Sequence, residues 1–319
     1  MKNQFLFSCL FLLSTCAFVA CGSDDLITEA PSSGNKNTTS GQFQINADGT
    51  KVCFSPGNLQ ATYNGSTWNW AFAANQWDYI GYYGANLYVE GNGTVSVNGT
   101  VDLFGWVGET STWTGAAQYG ISNSITVNSQ YTYGNIASES LKSDWGNTIT
   151  DGYKWRTLSF SEWNYVLSTR SSGSTVNGTP NARYTFASIN TDDSAVNGII
   201  LFPDGITVET NGATTWGKIN GSSSWGTECT SAQWAYLAAK GCVFLPAAGY
   251  RYSTTEGNSY KLSVSIRGDG NSGYYWSSSP NTTDVYSAYA FFFDYSHLNP
   301  ARSYSRPCGC SVRLVRVVE

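Results

Sequence analysis

The chain of 319 residues carries a formal net charge of −5, only 12% charged side chains, 15% aromatic residues and a single histidine. Its length allows one large core or two smaller ones, while mild acidity and the lack of a basic cluster exclude a nucleic-acid surface. Gly, Ser, Thr, Asn, Tyr and Trp stand out, a composition for short strands, turns and aromatic contact surfaces that favours a binding surface over a catalytic pocket.

Residues 1–20 read as a secretory signal, with Lys2, an apolar run and small residues up to Cys21. Beyond them no apolar run is long enough to span a bilayer. Phe18-Val19-Ala20-Cys21 resembles the lipobox of bacterial lipoproteins, although Phe18 stands where Leu is usual and Leu13-Ser14-Thr15-Cys16 is a weaker competitor. The resemblance implies acylation of Cys21 and contact with the membrane through the lipid anchor only. Gly22-Ser23-Asp24-Asp25 is similar to the acidic export tag of Bacteroidetes lipoproteins, which implies an outer-membrane protein exposed on the cell surface; the alternative orientation faces the periplasm. Residues 21–42, polar and rich in Ser, Thr and Asn, read as a lipid-anchored flexible tether. A folded domain follows over residues 43–319.

From residue 43 to about 150, short aromatic or β-branched runs alternate with Gly and Asn turns, and Asn98-Gly99 between two alternating runs predicts a hairpin. Ser159 and Glu162 have capping-box spacing ahead of Trp163, Val166 and Leu167, which share one helical face. Thr230 and Gln233 repeat the box ahead of Trp234, Leu237 and Ala238, with Gly241 a natural terminator. Buried-strand runs follow each helix, at 197–205 and 241–251, and the C-terminal third reads as strands at 273–279, 287–294 and 310–317. The predicted class is α+β, two helices set into a loop-rich, mostly antiparallel sheet.

In chain order, KVCFSPGNLQ (51–60), NQWDYIG (75–81), WRTLSFSEW (155–163), VFLPAAGYR (243–251), GYYWSSS (273–279) and GCSVRLVR (309–316) resemble the landmarks of the C-type lectin-like fold in Bacteroidetes lipoproteins. More loosely they are similar to the Fibrobacter-type major paralogous domain and to the formylglycine-generating enzyme superfamily. The resemblance covers residues 43–319 and implies that the N- and C-terminal strands pair, 52–57 against 311–316. It implies no function, because the scaffold carries enzymes, sugar binders and protein binders alike.

An enzymatic reading rests on His297 beside Asp294 and Tyr295, and nothing in the sequence places a nucleophile there. Cys308 and Cys310 could be offered as the copper-holding pair of a formylglycine-generating enzyme, but no His or further Cys nearby completes a metal shell. A disulfide across one residue is strained, and Cys53, Cys229, Cys242, Cys308 and Cys310 are an odd set that leaves one thiol over. Lectin calcium motifs are absent; 279–284 and 202–205 are the nearest matches and lack the oxygen ligands calcium demands. No metal or cofactor is therefore expected. Trp68, Trp70, Trp77 and Trp106 could stack on a glycan, yet aromatics at strand spacing are more often core. Asp193-Ser194-Ala195 resembles the Bacteroidetes O-glycan acceptor triplet.

Between Trp276 and Glu319 there is no Trp, Gln, Lys, Glu or Met. Every residue type present can be written with a codon ending in C, and those five types cannot. The segment, about 280–310, resembles the variable region of proteins diversified by retroelements, whose lectin-fold targets alternate fixed and randomised positions. The resemblance implies a ligand-binding set of Tyr286, Ala290, Phe292, Asp294, Tyr295, His297, Ser303, Tyr304, Ser305, Pro307, Cys308 and Cys310. Within it Ala290, Phe292 and Asp294 fall at period two, opposite Phe291 and Phe293, as a solvent-facing row requires. The expected function is a surface-displayed lipoprotein whose diversified C-terminal surface binds varied protein or glycan targets. The alternatives are a non-diversified adhesin or glycan binder and, more distantly, a formylglycine-generating-type enzyme.

Overall fold

The computed structural model describes residues 39, 41–81, 86, 89–90, 94–95, 99–121, 133–134, 139–192, 194–209, 215–221, 224–252 and 265–318. The signal peptide, Cys21, most of the tether, Asn98 and Asp193 lie outside the described residues. Thr39 is already buried and donates its N–H to the Phe54 carbonyl, so packing begins before residue 43.

The domain opens with β1 (Phe43–Gln44), β2 (Lys51–Phe54), β3 (Leu59–Tyr63) and β4 (Trp68–Phe72), followed by β5 (Val89–Glu90), β6 (Thr94–Val95), β7 (Gly99–Val101) and β8 (Arg156–Thr157). The hairpin expected at Asn98-Gly99 falls on residues 96–98, outside the described residues. The strand β6 pairs with β5, and β7 pairs antiparallel with β3. Helix α1 (Phe160–Asn164) starts at Ser159, whose hydroxyl accepts from the Glu162 N–H while the Glu162 side chain accepts from the Ser159 N–H, and it ends in a π-turn over Tyr165–Thr169. Next come β9 (Thr175–Val176), β10 (Thr179–Pro180), β11 (Tyr184–Asn190), β12 (Ala195–Leu201), β13 (Thr207–Val208) and β14 (Thr227–Thr230). Helix α2 (Ser231–Ala239) carries the second capping box at Thr230 and Gln233. Gly241, at a φ of 85°, turns the chain out of it in the left-handed region that an L side chain resists. The C-terminal third is β15 (Val243–Pro246), β16 (Ala248–Tyr252), β17 (Ser265–Asp269), β18 (Ser272–Pro280), β19 (Ser287–Asp294), β20 (Leu298–Ser305) and β21 (Leu314–Val317).

The α+β, C-type lectin-like architecture expected from the sequence is overturned. The protein is mostly β, with 19 strands in five sheets, a two-stranded ribbon, and only 13% helix. Both capping boxes form, but the helices they start are five and nine residues long, too short to make a layer of their own. Four sheets matter for the site: β1-β2-β21-β8, β14-β11-β12-β15, β4-β3-β7, and the five-stranded β17-β16-β18-β19-β20. The first of these holds the two ends of the domain side by side, with Val52, Cys53 and Phe54 opposite Val317, Arg316 and Val315.

Strand β19 sits between two cores. Phe291 and Phe293 belong to a cluster with Phe54, Trp163, Phe186 and Leu245, whereas Ala288, Ala290 and Phe292 belong to another with Trp106, Trp145, Trp276 and Val312. The run Ala290-Phe291-Phe292-Phe293 is therefore buried on both faces, as an unbroken apolar run in a central strand signals.

Candidate binding surface

This double burial corrects the solvent-facing row. Ala290 and Cys310 are fully buried, and Phe292 and Cys308 nearly so. After β20 the chain turns inward, where Cys310 bridges Phe104, Gly309 bridges Arg251 and Ser311 bridges Tyr275, so these positions are framework. The five described cysteines are all buried free thiols. Burial pushes the Cys310 thiol well above its ordinary range, with the neighbouring Cys308 adding to it and Arg251 opposing it. Such a group is a poor nucleophile and a poor metal ligand. Among the described residues no three His, Cys, Asp or Glu side chains are grouped to hold a metal.

The other predicted residues lie at the surface but not in one patch. Tyr286 and Tyr295 are about half exposed at opposite ends of the eight-residue β19, whose extended length puts them about 30 Å apart. Ser303 accepts a hydrogen bond from Asn281 Nδ2 at 2.8 Å; Ser305 is exposed and Pro307 half-buried. Asp294 and His297 meet, with Nδ1 3.1 Å from Oδ1. Ser296 Oγ lies 2.7 Å from the same Nδ1. A hydrolytic triad needs serine and carboxylate on different ring nitrogens, so the trio is a turn and not a catalytic relay. Asp294 Oδ1 caps that turn, accepting the N–H groups of Ser296 and His297 at 2.8 Å each. Burial alone would raise the Asp294 pKa, but the hydrogen bonds from Ser296 and His297 hold it below the usual carboxylate range.

Cross-strand registry assembles a different site on the Phe292 side of the five-stranded sheet. Tyr250 on β16 lies opposite Arg267 on β17, and Tyr274 on β18 lies opposite Phe292 on β19. Tyr304 on β20 completes a band of rings: Tyr250–Tyr274 centroids are 4.6 Å apart, Tyr274–Phe292 and Tyr274–Tyr304 4.8 Å, and Tyr250–Tyr304 5.0 Å. Two exposed arginines bracket the band. The Arg267 guanidinium stands 3.9 Å from the Tyr252 ring centroid and that of Arg302 4.4 Å from Phe292. Neither arginine forms an ion pair among the described residues. Burial pushes the Tyr274 phenol up to about 12 and raises that of Tyr304 further, so both stay neutral at physiological pH and can donate or accept hydrogen bonds.

The band adjoins an open cleft of about 480 Å³ lined by Phe292, Asp294, His297, Leu298, Asn299, Pro300 and Arg302. Beside the hairpin, Ser224 and Trp225 hold φ values of 41° and 55°, and the Ser224 N–H donates to the Tyr295 carbonyl at 3.0 Å. Left-handed backbone at a tryptophan costs of the order of 1–3 kcal/mol and collects near functional surfaces. Of the predicted residues, the site thus brings together Phe292, Tyr304, Asp294 and His297. Sequence reasoning missed Tyr250, Tyr252, Arg267, Tyr274 and Arg302, although the Tyr-x-Tyr of β16 was a period-two signal for one sheet face. The tryptophans considered for glycan stacking are core or lie against it: Trp106 is fully buried, and Trp68, Trp70 and Trp77 are half-buried.

Residues 220–315 match a family described as a domain of unknown function, DUF8237. The matched stretch contains the whole band and its cleft. No curated protein and no solved structure matches the chain.

Proposed function

We propose that this is a ligand-binding lipoprotein, anchored through Cys21 and displayed at the cell surface, whose aromatic band and adjoining cleft bind a protein target. The observation that carries the reading is the band itself, packed rings across the sheet bracketed by two arginines that form no ion pair among the described residues. Tyrosine and arginine on a rigid platform are the side chains that anchor protein interfaces. A glycan would require an open ring face to stack on, whereas these ring faces are taken by one another and by guanidinium groups. That geometry ranks the glycan ligand second.

A photo-crosslinking residue at Asn299, in the cleft, tests the proposal in the full chain, with the exposed Asn69 on β4 as control. The expected result is a crosslinked protein from position 299, none from 69, and loss of the product when Arg302→Ala is added. Equal yield at the two positions, or no effect of Arg302→Ala, overturns the site. Retention on a polysaccharide that Arg302→Ala abolishes, without protein crosslinks, transfers the assignment to the glycan reading.

Diversification remains a second reading because Trp, Gln, Lys, Glu and Met, the types that no codon ending in C can write, are all absent between Trp276 and Glu319. It now applies to surface positions, namely Tyr286, Asp294, Tyr295, His297, Ser303 and Ser305. Its test is genomic: a near-identical repeat beside a reverse transcriptase gene, differing at the codons of those positions. A complete genome without such a repeat removes it.

A further inference from the structure

A second, larger cleft of about 890 Å³ opens where the two ends of the domain meet, against β2, β8 and β21. Its lining includes Cys53, Tyr153, Lys154, Trp155, Arg156 and Arg316 and, among the described residues, no carboxylate. Arg156 is neutralised, since its two terminal nitrogens reach Glu162 at 2.7 and 2.8 Å. Arg316 is not. Its guanidinium lies 4.4 Å from the Tyr153 ring centroid, its Nε is buried without a hydrogen bond, and it joins no ion pair among the described residues. Lys154, exposed, lines the same cleft. Burial raises the Cys53 thiol despite the pull of Arg316, so the thiol is neutral and supplies no counter-charge. Two cations that form no ion pair among the described residues, one fixed by stacking, therefore share a cleft in a chain of net charge −5. A stacked arginine presents a planar fork of donors matched to the oxygens of a carboxylate or sulfate group.

The volume sits within the roughly 300–1,000 Å³ of small organic ligand sites and is far more than one inorganic oxyanion fills. An acidic peptide fits poorly. The strand β21 is paired with β2 at Val315–Val317 and with β8 at Leu314 and Val315. Only Arg316 and Val317 are left uncovered on the β8 side, too few to register an added peptide strand. We propose that this cleft is an anion site for an acidic saccharide, its carboxylate or sulfate group held by Arg316 and Lys154 and its ring body lying against Val317 and Val318.

Affinity electrophoresis of the full chain in gels containing polygalacturonate, chondroitin sulfate or neutral dextran tests this, because the acidic polymers separate the carboxylate source from the sulfate source. The expected result is retardation by at least one acidic polymer and none by dextran. Lys154→Gln and Arg316→Gln should each weaken it about tenfold, and Lys240→Gln, an exposed cation that lines neither cleft, should leave it unchanged. Lys154→Gln changes an exposed side chain and carries the test even if Arg316→Gln perturbs the fold. Indifference to both acidic polymers, or equal retardation of wild type and Lys154→Gln, overturns the proposal. Because the band and this cleft share no residue, either assignment can fail alone.

Discussion

Arg306→Met tests the framework behind the candidate surface. Arg306 Nη1 lies 2.5 Å from Glu139 Oε1, and both side chains are 1% exposed. The Glu139 Oε2 accepts from the Thr110 N–H at 3.1 Å and from its hydroxyl at 2.7 Å, while the Arg306 guanidinium stands 4.8 Å from the Trp106 ring centroid. The pair leaves no room for other groups, since a Cβ at Gly108 would fall 2.2 Å from Glu139 Oε1. Removing the cation strands a carboxylate in the interior, which costs about 3–5 kcal/mol. For a domain of this size that corresponds to a melting-temperature drop of roughly 5–9 °C. Adding Glu139→Gln removes the stranded charge and keeps an acceptor for Thr110, so the double variant should regain about half of the loss. Urea unfolding of the single and double variants measures the coupling. A cost below about 1 kcal/mol for Arg306→Met, or a double variant less stable than the single one, would refute the claim that a buried charge pair braces this region.

Three further predictions follow from burial and exposure. Asp102 is fully buried, and desolvation is the main cause that raises its pKa from 3.8 to about 6. The folded state therefore binds this proton more tightly than the unfolded one, and its contribution of about 3 kcal/mol is present below pH 3.8 and lost as pH rises to about 6; Asp102→Asn should remove that slope from urea midpoints taken across the window, and an unchanged slope would contradict it. Cys310→Ser places a hydroxyl among Trp276, Ala290 and Val312 and should cost about 1–3 kcal/mol, against under about 0.5 kcal/mol for the exposed Ser305→Ala; equal melting temperatures would return Cys310 to the surface. If the protein is displayed outside the outer membrane, protease added to intact cells should degrade it, and protection until that membrane is broken would refute display.

Local chemistry was readable from the chain. Both capping boxes, the Gly241 terminator and the strand character of the last third depend on contacts within a few residues, and a sequence carries those directly. Helix extent was not readable, because the apolar face of Trp163, Val166 and Leu167 continues past Asn164 while the backbone opens into a π-turn. The turn at Asn98-Gly99 falls outside the described residues, and what the structure shows is the pairing of the strand that follows it. Gly99–Val101 pairs antiparallel with Ala61–Tyr63 of β3, a partner about 40 residues away that a local turn signal does not reveal.

The error at the candidate site has a single physical origin, the assumption that β19 has one wet face. Period-two alternation marks a strand with one face in water, yet Ala290-Phe291-Phe292-Phe293 does not alternate in polarity. Treating Phe292 as a tolerated exposed draw ignored the cost of leaving a phenylalanine in water, about 1.5–3 kcal/mol relative to burial. Once both faces of β19 are given to the core, recognition has to move to groups that the sheet brings together from distant segments. Tyr250, Tyr274 and Tyr304 are separated by 24 and 30 residues in the chain and become one band only through the registers β16–β18 and β18–β19–β20. Side chains on one strand can be placed on a face from sequence spacing alone. A row that crosses several strands depends on registers set by long-range packing, which is why the arginine-bracketed band emerged only with the fold.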